Sequence, residues 1–194
     1  MPHRPREQRN PTTHPLEDHP DYVGAIGMVA LETIALEIRL ANLLAGTLGL
    51  PPRIGQAIYL SPKAEQTRLD ILKNAAKSRL SVSPRKKDTS LGRQQTAALE
   101  RVNDIVNRAQ ALIGERHRVV HDEWNYSETE EKVTRKRVEG KPGNPRVPTP
   151  RSEIDTLIRK LRVLIDDAHD LTESFRKHPP FMADLRKDST KPSL

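Results

Sequence analysis

The short stretch Glu115–Asp122 concentrates side chains that could do acid–base chemistry. His117 and His121 have the i, i+4 spacing that places two rings one turn apart on a helix, and Arg116 directly precedes the first of them. Imidazole titrates near neutral pH, and a guanidinium can stabilise a developing negative charge. The three residues therefore suit proton transfer at a phosphate group.

The same histidine spacing also occurs in metal sites. The HExxH pattern of zinc proteases needs a glutamate, however, where this chain has Arg118, and no third ligand is indicated. The chain also contains no cysteine, which excludes disulfides, cysteine-ligated zinc, iron–sulfur clusters and thiol catalysis. We therefore expect neither a metal nor a cofactor.

The helix that must position these residues is predicted from Ala97 to about His121. Its apolar residues form one stripe, at Ala98, Val102, Ile105, Ala109 and Leu112. Arg116 falls in the centre of that stripe, where a charge is costly to bury unless it has a partner or a function. Two interpretations stay open: a structural ion pair with a carboxylate such as Glu32, or a cation held at an interface to bind phosphate.

Three other segments are predicted to form long helices that complete the fold. The first, Tyr22–Leu48, is apolar nearly all round and must be covered on more than one side. A second begins with Ser61 and Pro62 as cap and first residue, and a last one follows a capping-box-like Ser152–Asp155. Together they predict an all-α protein, an antiparallel four- to five-helix bundle, with a small hairpin or loop insertion (residues 123–150) before the last helix.

The flanks of this bundle have a different composition. Residues 1–20 contain five prolines and no apolar run, which predicts a disordered N-terminal arm without a signal-peptide core. Residues 179–194 are predicted to be a flexible tail, so the bundle spans 21–178. The most apolar helix contains Glu32, Glu37 and Arg39, which argues against a membrane span.

The charge of the chain favours an anionic partner, and nucleic acid first. Lys and Arg number 33 against 26 Asp and Glu, a net charge of +7. Basic loops at 81–95 and 132–151 flank the helix that contains Arg116, His117 and His121. This arrangement favours an anion-binding surface formed by both loops over two loops that are merely solvated. The predicted RNA-binding residues are Arg85, Lys86, Lys87, Arg135, Lys136 and Arg137. Six aromatic residues are too few for the stacking platforms of RRM or OB folds.

The stretch from Glu115 to Trp124 resembles the signature of HEPN domains, in which an arginine is followed by Asn, Asp or His and, after three further residues, by a histidine. Here Arg116, His117 and His121 match it. The context is also similar over roughly residues 22–177, with the motif late in a long helix and a tryptophan after it. Asp122 departs from the small residue usual in relatives, and a carboxylate there should favour protonated His121, an acid rather than a base.

The resemblance implies a helical bundle that dimerises with two motifs facing each other, and in many members a metal-independent RNA endonuclease. It assigns Arg116 to the scissile phosphate, His121 to proton transfer during attack by the 2′-hydroxyl, and His117 to orienting or assisting. Glu32, Arg118 and Trp124 are expected to support the site. The setting implied is a cytoplasmic toxin or phage-defence element with an antitoxin or regulatory protein as partner.

The alternative is a non-catalytic helical module. It would bind RNA or a protein partner through the same basic loops, with Arg116 in a structural ion pair.

Overall fold

The computed structural model describes residues 16–82, 89–127, 132–136 and 147–179. They form a helical bundle with a three-stranded antiparallel sheet inserted before the last helix, which confirms the predicted fold class. The elements are α1 (Pro20–Leu48), α2 (Pro52–Leu60), α3 (Glu65–Leu80), α4 (Ser90–His121), β1 (Glu123–Ser127), β2 (Lys132–Lys136), β3 (Val147–Pro148) and α5 (Arg151–Lys177).

Helix α1 is the centre of the bundle, because α2, α3, α4 and α5 all contact it. One side of α1 packs against the apolar stripes of the other helices. Each leucine buried in this core contributes about 1.5–3 kcal/mol to the stability of the fold. The core includes Val29, Leu36, Leu40, Leu44, Leu69, Leu72, Val102, Ala109, Leu161 and Leu164. The opposite side of α1 is apolar but exposed, at Met28, Leu31, Ile34 and Ile38, and we call these four residues the α1 apolar face.

Helix α1 ends in a tight reversal that returns the chain onto it as α2. Gly49 adopts φ 69°, the left-handed conformation that glycine adopts without strain, and the Leu50 N–H donates to the Ala45 carbonyl at 2.9 Å. Helix α2 then passes so close that a Cβ on Gly55 would lie 2.4 Å from the Ala45 Cβ. Gly55 is thus required for the approach of the two backbones.

The small sheet joins the end of α4 to the start of α1. Strands β1 and β2 pair antiparallel with Trp124 opposite Arg135, as the predicted hairpin requires. Strand β3, which the sequence placed in a loop, adds two residues at the edge of β2, the position where a strand can contain a proline. Next to β3 the Tyr22 hydroxyl donates to the Thr149 carbonyl at 3.3 Å, which ties the sheet to α1.

Two predicted helix starts are wrong. Helix α4 begins at Ser90 rather than Ala97, because the Thr89 hydroxyl accepts the Gly92 N–H at 3.0 Å and caps it, so residues 90–95 of the predicted basic loop are helical. Helix α3 begins at Glu65, after a bend at 61–64, rather than behind Ser61.

The predicted capping box of α5 is also wrong. The helix begins at Arg151, two residues before the Glu153 start that the box implies, without a side-chain cap on its first N–H groups. Asp155, the last residue of the box, instead pairs with Arg151 at 3.1 Å. The basic segment 132–151 is likewise no single loop, since its described residues form β2, β3 and the start of α5.

The described part of the chain begins inside the predicted N-terminal arm. Residues 1–15 lie outside the described part, but Leu16 is fully buried and the His19 ring packs 4.2 Å from that of Tyr126. The predicted tail lies outside the described residues from 180 onward. In the described part of the chain, no helix is long and apolar enough to cross a membrane.

Candidate functional site

Arg116 is held on α4 with its side chain only 14% exposed, and it forms an ion pair with Glu65 in the first turn of α3. The prediction that Glu32 pairs with Arg116 is wrong. Its carboxylate instead accepts from the Nε of Arg162 on α5 at 2.7 Å, because that side of α1 meets α5. The pairing of Arg116 therefore joins α4 to α3 rather than to α1.

A second ion pair lies beside the first, between Arg68 and Glu37 at 2.9 Å. With the buried Tyr59 these residues form a group from four helices, the α1–α4 polar cluster: Glu37, Tyr59, Glu65, Arg68 and Arg116. Among the described residues, neither the Tyr59 hydroxyl nor the Arg116 Nε has a hydrogen-bond partner. Burial lowers the pKa of the Arg116 guanidinium, and the negative charge of Glu37 opposes this shift.

His117 and His121 lie together in the last turns of α4, as their spacing predicts. Their ring centroids are 4.5 Å apart and the ring planes are inclined by 47°. His121 is exposed and His117 is half-buried, so one ring of the pair is open to solvent. The structure therefore gives two titratable rings in contact, on the helix that carries Arg116.

Trp124 fixes the turn that follows the histidine pair. Its indole N–H donates to the Val119 carbonyl at 2.9 Å, and the residue is 7% exposed. This bond satisfies one of the carbonyls left free at a helix C-terminus. The predicted supporting role of Trp124 thus has a structural basis, since the bond holds the end of the helix that bears His121.

The predicted RNA-binding residues lie in different surroundings. The Arg135 side chain on β2 interacts with two residues. Its Nε lies 3.5 Å from the carboxylate of Asp122, and its guanidinium lies 5.7 Å from the centroid of the Trp124 ring. Asp122, expected to act on His121, is thus engaged by Arg135. Lys136 is half-buried on the same strand. Arg137 and the Arg85–Lys87 run lie outside the described residues.

Two residues near the motif were missed by the sequence argument. Glu65 was not considered as a partner of Arg116, and Lys160 of α5 donates to Glu115 at 2.9 Å beside a cleft that Arg118 also lines. Neither contact has a local sequence signal, because each joins residues that only helix packing brings together. In the part of the chain described, no three His, Asp or Glu side chains are grouped so that they could hold a metal ion.

No protein-family model matches this chain, and no curated protein or solved structure matches it significantly. The similarity to HEPN domains is therefore still a prediction from Arg116, His117 and His121. A function for the chain depends on what these side chains and their neighbours can do chemically.

Proposed function

We propose that this protein is a metal-independent endoribonuclease of the HEPN type. The observation that supports the proposal is the contact between the His117 and His121 rings, 4.5 Å apart, on the helix that also holds the cation Arg116. Exposure of His121 leaves its ring accessible to a substrate. A net charge of +7 favours a polyanionic substrate.

In the proposed reaction, a base takes the proton from a ribose 2′-hydroxyl and the oxygen attacks the adjacent phosphorus. The bond from phosphorus to the 5′-oxygen breaks, and the leaving oxygen receives a proton. The products are a cyclic phosphate and a 5′-hydroxyl. His121 moves a proton at the substrate, and His117, in ring contact with it, orients or assists that ring.

Arg116 acts in this proposal on the phosphate oxygens that gain charge in the transition state. Its guanidinium has five N–H donors in a rigid fork, and the pair with Glu65 fixes the direction of that fork. Donors not taken by Glu65 can then bind a phosphate oxygen. Glu65 is accordingly a positioning residue, in the place first expected for Glu32.

We further propose the homodimer and the setting that the resemblance suggests. The α1 apolar face supplies an exposed apolar surface of the kind found at subunit interfaces. In this proposal the nuclease is a toxin or phage-defence element of the cytoplasm, restrained by an antitoxin or a regulatory protein, as the resemblance to HEPN domains implies.

The test is RNA cleavage by wild-type protein, His121→Ala and a matched control, His169→Ala, all in EDTA. His169 is an exposed histidine of α5 near Arg39, away from the motif. We expect wild type and the control to cleave total RNA, and His121→Ala to be about 10²–10⁴-fold slower with an unchanged circular dichroism spectrum. Cleavage that stops in EDTA and returns with zinc or manganese would contradict the proposal, as would full activity of His121→Ala.

A second candidate function is the non-catalytic module that binds RNA or a protein, and the Arg116–Glu65 ion pair favours it. Arg116→Leu/Glu65→Gln separates the two in the same assay. If Arg116 serves catalysis, the double variant should lose cleavage and melt close to wild type, because replacing both partners of an ion pair leaves no charge unpaired.

Arg116→Leu alone should melt lower under either function, because Glu65 loses its partner. Breaking a fully buried pair costs about 3–5 kcal/mol, and here solvent reduces that cost because Glu65 is 29% exposed. Restoration of the melting temperature in Arg116→Leu/Glu65→Gln, together with no cleavage by wild type, would favour the module.

A further inference from the structure

Two adjoining clefts lie between α4 and α5, one of about 390 Å³ and one of about 470 Å³. They share Glu115, Thr156 and Lys160 as walls and together form a groove whose two helices are joined by the Lys160–Glu115 ion pair. Measured along α4 from Arg108 to Val119, the groove is about 16 Å long. We call it the α4–α5 groove.

The charge of this groove is predominantly positive. Five cationic side chains line it, against two carboxylates, those of Glu115 and Glu153. The cations come from α4, β2 and α5, and they are Arg108, Arg118, Arg135, Arg159 and Lys160. None of the α4 and α5 members belongs to the two basic loops from which RNA binding was predicted.

Two of these cations are available to a ligand. Lys160 is neutralised by Glu115 at 2.9 Å, and Arg108 by Asp167 at 2.7 Å. Among the described residues, Arg118 and Arg159 have no carboxylate partner, and Arg159 only donates to the Thr156 hydroxyl at 2.9 Å. Both are exposed, Arg118 on the first cleft and Arg159 on the second, so they can contact two different phosphates of one strand.

The floor of the groove is apolar. Leu112 and Val119 of α4 and Leu157 of α5 form it, and Val163 on its edge is 55% exposed. Cationic walls over an apolar floor fit the phosphates of a single nucleic-acid strand on the walls and its sugars and bases on the floor. A peptide of acidic residues alone would use the walls but has no apolar groups for the floor.

One of the two free cations of the groove, Arg118, lies next to the histidine pair in the sequence of α4. Arg118 directly follows His117, and on the helix it is about 60° from His121. Beyond Arg108, at the other end, the adjoining cleft is lined by Glu100, Asp104 and Asp167, which offset its arginines. The excess of positive charge is thus confined to the groove between Arg108 and Arg118.

We infer that the α4–α5 groove binds the sugar–phosphate backbone of single-stranded RNA, with Arg118 and Arg159 as its phosphate contacts. The inference rests on the proposed endoribonuclease function and adds a binding site for the substrate strand to it.

The test is filter binding of a labelled 12-nucleotide uridine strand over a range of salt concentrations, with every variant built into the His121→Ala protein so that the strand stays intact. The groove variant is Arg118→Glu/Arg159→Glu. The control is Lys73→Glu/Lys77→Glu, the same charge change at exposed lysines of α3 that line neither cleft. Circular dichroism checks folding, and Arg118→Gln/Arg159→Gln replaces the groove variant if reversal of charge prevents folding.

We expect the groove variant to bind about tenfold more weakly, and the slope of log Kd against log salt to fall by about 1.4, or about 0.7 for each phosphate that the variant no longer neutralises. The control should keep the parent slope. An unchanged slope in the groove variant overturns the inference, as does equal binding of a duplex of the same length. Loss of binding to a polyglutamate peptide, but not to RNA, would assign the groove to an acidic protein instead.

These outcomes are independent of cleavage. If wild type cleaves RNA but the groove variant binds like its parent, only the groove is wrong. If the strand binds through Arg118 and Arg159 but wild type does not cleave it, only the endoribonuclease proposal fails.

Discussion

The Tyr59 side chain is fully buried beside Glu37 and Arg68, and its hydroxyl has no hydrogen-bond partner among the described residues. A buried unsatisfied hydroxyl costs about 1–3 kcal/mol. We therefore expect Tyr59→Phe to raise the free energy of unfolding by about 1 kcal/mol and the melting temperature by roughly 2–4 °C. Tyr22→Phe is the matched comparison, and it should destabilise, because the Tyr22 hydroxyl donates to Thr149.

The same residue predicts a dependence of stability on pH. Burial raises the pKa of the Tyr59 phenol well above its ordinary value, Glu37 raises it further, and Arg68 opposes the shift. The unfolded chain therefore loses this proton from about pH 10, while the folded chain keeps it. Above that pH, Tyr59 should lower the free energy of unfolding by up to about 1.4 kcal/mol per pH unit. Urea titrations at several pH values should therefore show a smaller decline for Tyr59→Phe than for wild type. Parallel curves for the two proteins would show that Tyr59 is already solvated.

At the scale of residues, the sequence located the candidate site but not its contacts. Spacing alone placed His117 and His121 one turn apart, because both belong to one helix. The Arg116–Glu65 pair and the Lys160–Glu115 pair each cross between helices. Such contacts depend on the relative height and rotation of two helices, and apolar periodicity does not specify either.

At the scale of elements, the contact between α1 and α2 depends on Gly55. A methyl group there would lie within 2.9 Å of the Ala45 backbone, so Gly55→Ala should separate α2 from α1 and cost about 1–3 kcal/mol in urea denaturation, as overpacking does. Gly114 of α4 is the control, since a Cβ there meets nothing within 4 Å. Gly114→Ala should stabilise by about 0.5–1 kcal/mol. Equal effects of the two substitutions would mean that α2 is loosely attached.

The elements themselves were largely predictable, because each long helix has an apolar stripe that the structure buries. The first residues of the helices were not predictable from the sequence. Thr89 caps α4 within a stretch that is polar enough to resemble a loop, and the edge strand β3 has only two residues, too few for a periodic pattern. Leu16 is a single apolar residue among prolines and charges, and only the tertiary fold shows that it is buried.

At the scale of the whole molecule, the α1 apolar face predicts self-association. Leu31 and Ile34 are 62% and 59% exposed near the middle of a face that the sequence indicated must be covered. Light scattering at low micromolar concentration should give twice the chain mass of 21.9 kDa. Ile34→Glu should return the mass to that of one chain, while Val147→Glu, at an exposed valine of β3, should not. A wild-type mass of 21.9 kDa would contradict the predicted dimer.

The position of Trp124 provides the protein with an internal optical probe. It is the single tryptophan of the chain, so all indole emission arises from one environment. That environment is shielded from water, in contact with the carbonyl of Val119 and with the Arg135 cation 5.7 Å from the ring. The indole lies at the junction between α4 and the sheet, three residues after His121, so its fluorescence spectrum should report opening of this end of the molecule separately from melting of the bundle.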